Sequence, residues 1–117
     1  MSKLQIYCVT DKEIPFLESG KYKLAAVGRK DLSDKYLKCD YNDNIFHKEK
    51  NYSELTFHYW FWKNQLQYDN DNDWIGFCQK RRFWLNYRYK GESVKFSDII
   101  LSHIPEEWGK YEAVLCE

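Results

Sequence analysis

The stretch Asp73–Trp84, DWIGFCQKRRFW, decides how this chain is read. Trp74 to Cys78 form a short apolar run of strand type, with acidic and amide residues on its amino side. The run passes without a turn residue into Gln79, Lys80, Arg81 and Arg82, and Phe83 and Trp84 follow directly. In open α/β sheets, ligands bind outside the carboxyl ends of the strands. Three cations at that position are solvated decoration, a nucleic-acid patch, or a cradle for a phosphorylated ligand.

Working outward, Leu4 to Thr10, LQIYCVT, is a second β-rich run and reads as the first strand. Glu13 to Gly20, with Pro15 and Gly20, reads as a loop. Tyr22 to Gly28 fits a short strand or a helical turn, and the polar stretch Arg29–Lys50 reads as one long loop. The clearest helix runs from Tyr52 to Leu66, with Asn51 as N-cap and Glu54 completing an Asn variant of the capping box. Its body, LTFHYWFWKNQL, is apolar almost all round. It should therefore be covered on more than one side, by a sheet and by the Arg29–Lys50 loop. His58, with no second His or acid four residues on, reads as a satisfied buried histidine. FSDIILSHI suggests a short helix capped by Ser97, and Pro105 with Glu106 and Glu107 suits the first turn of another. Glu112 to Cys116 reads as a last strand. Strands alternating with helices imply an α/β sheet covered on both faces.

A chain of 117 residues suits one domain, 1–117. Lys plus Arg and Asp plus Glu are 18 each, so any pull toward nucleic acid or anionic membrane must come from a local patch. No run approaches the roughly 20 apolar residues of a membrane span. The start, MSKLQIYCVTDK, lacks the apolar core of a signal peptide, so the expected location is cytoplasmic. Cys8, Cys39, Cys78 and Cys116 form no Cys-x-x-Cys pair. They read as free thiols that pack as small hydrophobes, not as a zinc site.

Asp69, Asp71 and Asp73 alternate with Asn, but a calcium loop fails because Trp74 and Lys80 stand where its Gly and Glu belong. The Asp-x-Asp metal motif of sugar-nucleotide enzymes follows a strand, whereas these acids precede one. They are expected at the opposite edge of the sheet, as a solvated connector, and no metal ligands are assigned. There is no Gly-rich phosphate loop, no Gly-x-Ser-x-Gly and no His-Glu-x-x-His. Gln79–Lys90 differs, holding five cations, no acids and four aromatics. Arg offers a planar fork that matches phosphate oxygens, and basic residues between aromatics also suit single-stranded nucleic acid. On these residues alone the three readings stay open.

Three blocks carry a resemblance to a known family. IYCVTDK, Ile6–Lys12, is similar to an opening strand that ends in Thr-His-Lys. NDNIFHKEKNYSELTFHYWFWKN, Asn42–Asn64, is similar to Gly-Asp-Asn-Ile, then Asn, Glu-Leu-Thr and Tyr-Trp-x-Trp-Lys-Asn. DWIGFCQKRRFW resembles an Asp-aromatic-Ile-Gly-Leu strand that runs into His-Tyr-Arg-Arg. The chain thus resembles the bacterial capsular- and exopolysaccharide-biosynthesis glycosyltransferases catalogued as a domain of unknown function.

The resemblance implies a GT-A-like nucleotide-diphosphosugar transferase fold, of which this chain matches the N-terminal half. The implied reaction moves a sugar from a nucleotide-sugar donor to a glycan or lipid-linked acceptor in capsular, exo- or lipopolysaccharide synthesis. Mn2+ or Mg2+ could accompany the donor, and the protein could sit peripherally at the inner membrane. By the resemblance, Thr10 and Lys12 lie near the nucleotide, and Asp43, Asn44, Asn51 and Glu54 order the long loop beside the donor. Trp60, Trp62, Lys63 and Asn64 belong to the signature helix. Arg81 and Arg82, with Lys80, face the diphosphate, and Asp43 and Glu54 are the acidic candidates for catalysis. Three departures stand out: Asp11 replaces a His, Asn42 a Gly, and Gln79-Lys80 a His-Tyr. Family members continue past the end of this chain, so a half-domain completed by homodimerisation through an exposed sheet edge is one expectation. The alternatives are a non-catalytic nucleotide-binding or interaction module and a single-stranded nucleic-acid binder.

Overall fold

The structure, a computed structural model, describes residues 3–18, 20–66, 73–86 and 96–115. Four strands, β1 (Leu4–Thr10), β2 (Lys23–Ala26), β3 (Tyr36–Leu37) and β4 (Trp74–Gln79), form one sheet in the order β3-β2-β1-β4. Every pairing is parallel. The chain starts at β1, moves outward through β2 to β3, then returns across the sheet to lay β4 on the other side of β1. This is an α/β fold, and its strand order reverses between β1 and β4.

The pleat explains the layers. Successive β1 residues point to opposite faces. Ile6 and Cys8, with Leu24 and Ala26 of β2, pack against Leu17, Leu32, Tyr36, Ile100 and Leu101. Tyr7 and Val9, with Ala25, pack against Phe57, Trp60 and Phe61. Both faces are therefore covered, which is why β1 reads as a continuous apolar run rather than an alternating one.

Phe57, Trp60 and Phe61 project from α3 (Leu55–Asn64). Trp60 is fully buried, and its Nε1 donates to the Tyr41 carbonyl at 3.0 Å. The helix is thus held by the sheet on one side and by the Tyr41–Asp43 loop on a flank, as its sequence implies. The side facing away from the sheet is different. Leu55 and Trp62 remain 51% and 58% exposed, so the described residues do not cover the helix all round.

Several local expectations are corrected. Residues 13–20 are not all loop: α1 (Pro15–Glu18) is a helical turn, started by the fixed φ of Pro15 and anchored by buried Leu17. The Arg29–Lys50 stretch contains β3, a 3-10 turn over Phe46–Lys48 and the start of α2 (Glu49–Tyr52). Asn51 therefore lies inside a helix and caps nothing. Ser53, with φ 48° and ψ −124°, breaks the path, and α3 begins after Glu54 without a side-chain cap. Ser97 is likewise inside its helix, α4 (Phe96–Ile99), and does not cap it. Within the ambiguous Tyr22–Gly28 stretch, Lys23–Ala26 is a strand, and Glu106–Lys110 is a 3-10 helix after Pro105. Residues 112–115 are not in a strand; Cys116 lies outside the described residues.

Two outcomes test this packing. Trp60→Ala should lower stability by about 3–5 kcal/mol, the usual penalty for emptying a buried aromatic site, read as a lower urea midpoint. Ser53→Gly should be neutral or raise stability by up to about 1 kcal/mol, because only glycine adopts that backbone freely. A clear loss in Ser53→Gly would show that the break at Ser53 is not strained.

Candidate functional site

β1 and β4 end side by side. Thr10, 2% exposed, closes the β1 turn: its Oγ1 donates to the Lys12 carbonyl at 2.8 Å and accepts from the Lys12 amide at 3.2 Å. That turn throws Asp11 and Lys12 into solvent. β4 closes with the Arg82 amide donating to the Gln79 carbonyl at 3.1 Å, which puts Lys80 and Arg81 at the turn's tip. Between the two strand ends, Lys80 Nζ meets Asp11 Oδ1 at 2.5 Å. The Lys80 hydrogen bond holds the Asp11 carboxyl below its ordinary range. Asp11 and Lys80 are two of the positions at which this chain departs from the resemblance, and they touch. The carboxylate in place of a histidine has its counter-charge directly opposite.

The cations at this edge are not equivalent. Arg29, past the end of β2, is held by both oxygens of Asp31, at 3.0 and 2.8 Å. Lys80 is held by Asp11. Arg81 and Arg82 are exposed, and neither side chain has a partner among the described residues. Asp73, the described member of the acidic connector, lies at the far end of β4, where its Oδ1 accepts from the Lys3 amide at 2.9 Å. Asp69 and Asp71 lie outside the described residues.

Arg82 turns into a cavity of about 570 Å3 on the side of β4 away from β1. Its walls are Phe77, Phe83, Trp84 and Leu85, with Cys78 and Gln79 of β4, Glu54 just before α3 and His58 within it. Trp84 seals the strand edge here, its Nε1 donating to the Phe77 carbonyl at 3.0 Å. His58 lies against Phe77, ring centroids 4.5 Å apart. Burial lowers its pKa, while the charge of Glu54 raises it, and burial wins. An apolar cavity of this size with a guanidinium, a carboxylate and a neutral imidazole is a general form of ligand site. No acid stands four residues after His58 in the sequence. The acid stands four residues before it, at Glu54, and positions i and i+4 share a helix face.

Asp43 and Asn44 sit elsewhere. Tyr59 donates to Asp43 Oδ1 at 2.8 Å, and Asn64 Nδ2 donates to the Asp43 carbonyl at 2.8 Å. Asn44 Oδ1 accepts from the Phe46 amide at 3.0 Å, and its Nδ2 donates to the Asn42 carbonyl at 2.9 Å. Asp43 thus clasps the loop onto α3, Asn44 braces the loop from within, and neither lines the cavity. Asn42 has φ 56°, a left-handed conformation open to Gly and tolerated by Asn, which explains why the resemblance has Gly there. Trp62 and Lys63 face solvent, with Lys63 Nζ 4.0 Å from the Trp62 ring centroid. Among the described residues, no three His, Cys, Asp or Glu side chains come close enough to hold a metal ion.

The class of protein is thus a parallel α/β sheet that carries, at its strand ends, an aromatic cavity and two arginines without partners among the described residues. The family model described as a domain of unknown function, DUF4422, matches residues 5–115, and the chain belongs to that family. No curated protein and no solved structure matches the chain. No helix among the described residues is long and apolar enough to cross a membrane.

The lowered pKa of His58 carries a sign. A histidine harder to protonate when folded leaves the unfolded chain binding more protons below the ordinary value of 6.5. Its contribution to stability is therefore complete above pH 6.5 and declines as pH falls from there toward the folded pKa. Urea unfolding at stepped pH should show this slope in the native chain and a flatter one in His58→Gln. An NMR titration midpoint for His58 above 6.5 would contradict it.

Proposed function

We propose that this domain binds a nucleotide-diphosphosugar donor in a GT-A-like manner and serves sugar transfer to a glycan or lipid-linked acceptor in polysaccharide synthesis. The observation that carries this reading is the pair Arg81 and Arg82, without partners among the described residues, at the carboxyl end of β4. That is the strand at which the sheet order reverses, where open α/β sheets bind ligands.

Each part of a donor finds suitable chemistry. The two guanidiniums match diphosphate oxygens and stay charged at any working pH. Lys80 can turn from Asp11 to the same phosphates, since a half-exposed ion pair is worth only about 0–1 kcal/mol. Lys12 stands exposed at the neighbouring strand end. Phe77, Phe83 and Trp84 offer flat apolar faces to a sugar or base. As the glycosidic bond breaks, negative charge gathers on the departing nucleoside diphosphate, and cations already in place lower that barrier. Glu54, on the cavity wall, is the better placed acidic candidate; Asp43 is taken up by Tyr59.

The side chains here do not suit a divalent ion. Asp11 is engaged by Lys80, Glu54 stands across the cavity, and no third ligand joins them among the described residues. In this reading, the arginines supply the neutralisation that Mn2+ or Mg2+ would supply elsewhere.

Calorimetric titration with a panel of nucleoside diphosphates tests the proposal. Binding should persist in a metal chelator, and Arg81→Ala and Arg82→Ala should each weaken it by about tenfold to a hundredfold, the range for a hydrogen bond to a charged group. Binding that requires manganese and ignores both substitutions would overturn it. Single-stranded nucleic acid retained with a steep salt dependence, and no diphosphate binding, would favour the nucleic-acid alternative.

A further inference from the structure

Cys8 and Cys78 are far apart in sequence and form no recognisable motif, yet β1 and β4 bring them directly opposite each other. Adjacent strands lie about 4.8 Å apart, within the range of about 4.4–6.8 Å between Cα atoms that a disulfide spans. Opposed residues on parallel strands point to one face. Cys8 is fully buried in the apolar cluster on that face, and Cys78 packs against the same cluster. The two thiols differ in access. Cys8 is sealed from solvent, whereas Cys78 also lines the cavity with Arg82 and Trp84. Both are free thiols here.

We propose that Cys8 and Cys78 form a reversible dithiol–disulfide site, oxidised from the cavity by small two-electron oxidants such as peroxides. In the first step the Cys78 sulfur, the one with access to the cavity, attacks a peroxide oxygen and gives up its proton. An S–O bond forms, the O–O bond breaks, and the departing oxygen leaves as water. The Cys8 sulfur then attacks the Cys78 sulfur, the S–S bond forms, and the S–O bond breaks with loss of a second water. Two thiol protons and two electrons pass to one peroxide, giving two waters. The resolving sulfur needs no solvent access, because its target is the neighbouring side chain. The hydrogen bond between them draws the Cys8 thiol below its ordinary value and raises that of Cys78, so access and not acidity selects Cys78 for the first step, and Cys8 serves as the resolving thiolate. Cys39 has no such neighbour. Burial pushes its thiol up to about 11, and it sits 3.3 Å from the Ala26 carbonyl.

The bond would tie β1 to β4 just ahead of Thr10 and Lys80, at the base of the crevice spanned by Asp11 and Lys80. The inference rests on the strand register and does not depend on what ligand the crevice takes.

The test treats the full native chain with hydrogen peroxide, then alkylates it in denaturant and maps the peptides. The expected product has lost the mass of two hydrogen atoms, with Cys8 linked to Cys78, and dithiothreitol restores it. In Cys8→Ser, Cys78 should accumulate as a sulfenic acid trapped by dimedone; in Cys78→Ser, Cys8 should stay reduced. Full alkylation of every cysteine after peroxide would overturn the proposal, as would a bond that joins Cys39 or Cys116 or links two chains.

Discussion

The central strand β1 is paired on both edges and buried on both faces, and the rest of the molecule is arranged around that constraint. Its middle, Ile6 to Val9, is apolar and buried, Gln5 lies half-buried near its start, and polar residues return where the strand ends. That is at Thr10, whose hydroxyl satisfies the turn, and at Asp11 and Lys12, which reach solvent. β4, laid beside it in register from Leu4–Trp74 to Val9–Gln79, meets the same limit at the same height. The polar chemistry of both strands therefore surfaces together. The crevice at the strand ends follows from burying everything before it.

The same constraint ranks the charges. A cation at the edge of an α/β sheet can be satisfied locally or left for a ligand, and this chain does both. Arg29 is closed by Asp31 and Lys80 by Asp11, while among the described residues neither Arg81 nor Arg82 has a partner, and Arg82 lines the cavity. In that cavity Glu54 and His58 face Phe77 of β4, with the His58 ring against the Phe77 ring. Asp43 and Asn44 contribute differently. Asp43 fastens the long loop to α3 through Tyr59 and Asn64, and Asn44 braces that loop from within.

Much of the secondary structure was legible. β1 and β4 announced themselves by apolar, β-branched and aromatic runs, and α3 by its aromatic body. The start of the helix was misread because Asn51 with Glu54 is a sound local cap. The competing preference was tertiary: the chain had to bend at Ser53 to seat Phe57 and Trp60 on the sheet. The Arg29–Lys50 stretch hid β3 because a two-residue strand leaves no periodicity to detect. At the site, the cations were visible from composition and position. His58 was missed because its partner precedes it on the helix.

What the sequence by itself determined is the class of structure and the place of its cationic end: apolar strand runs must be buried, and cations that follow one must emerge at its edge. Only the tertiary structure decided which side chains meet. Asp11 found Lys80, Cys8 found Cys78, and Arg82 came to line one cavity with Glu54 and His58 because β4 returned to the far side of β1. That crossing is set by the packing of the whole sheet, and local residue preferences carry no record of it.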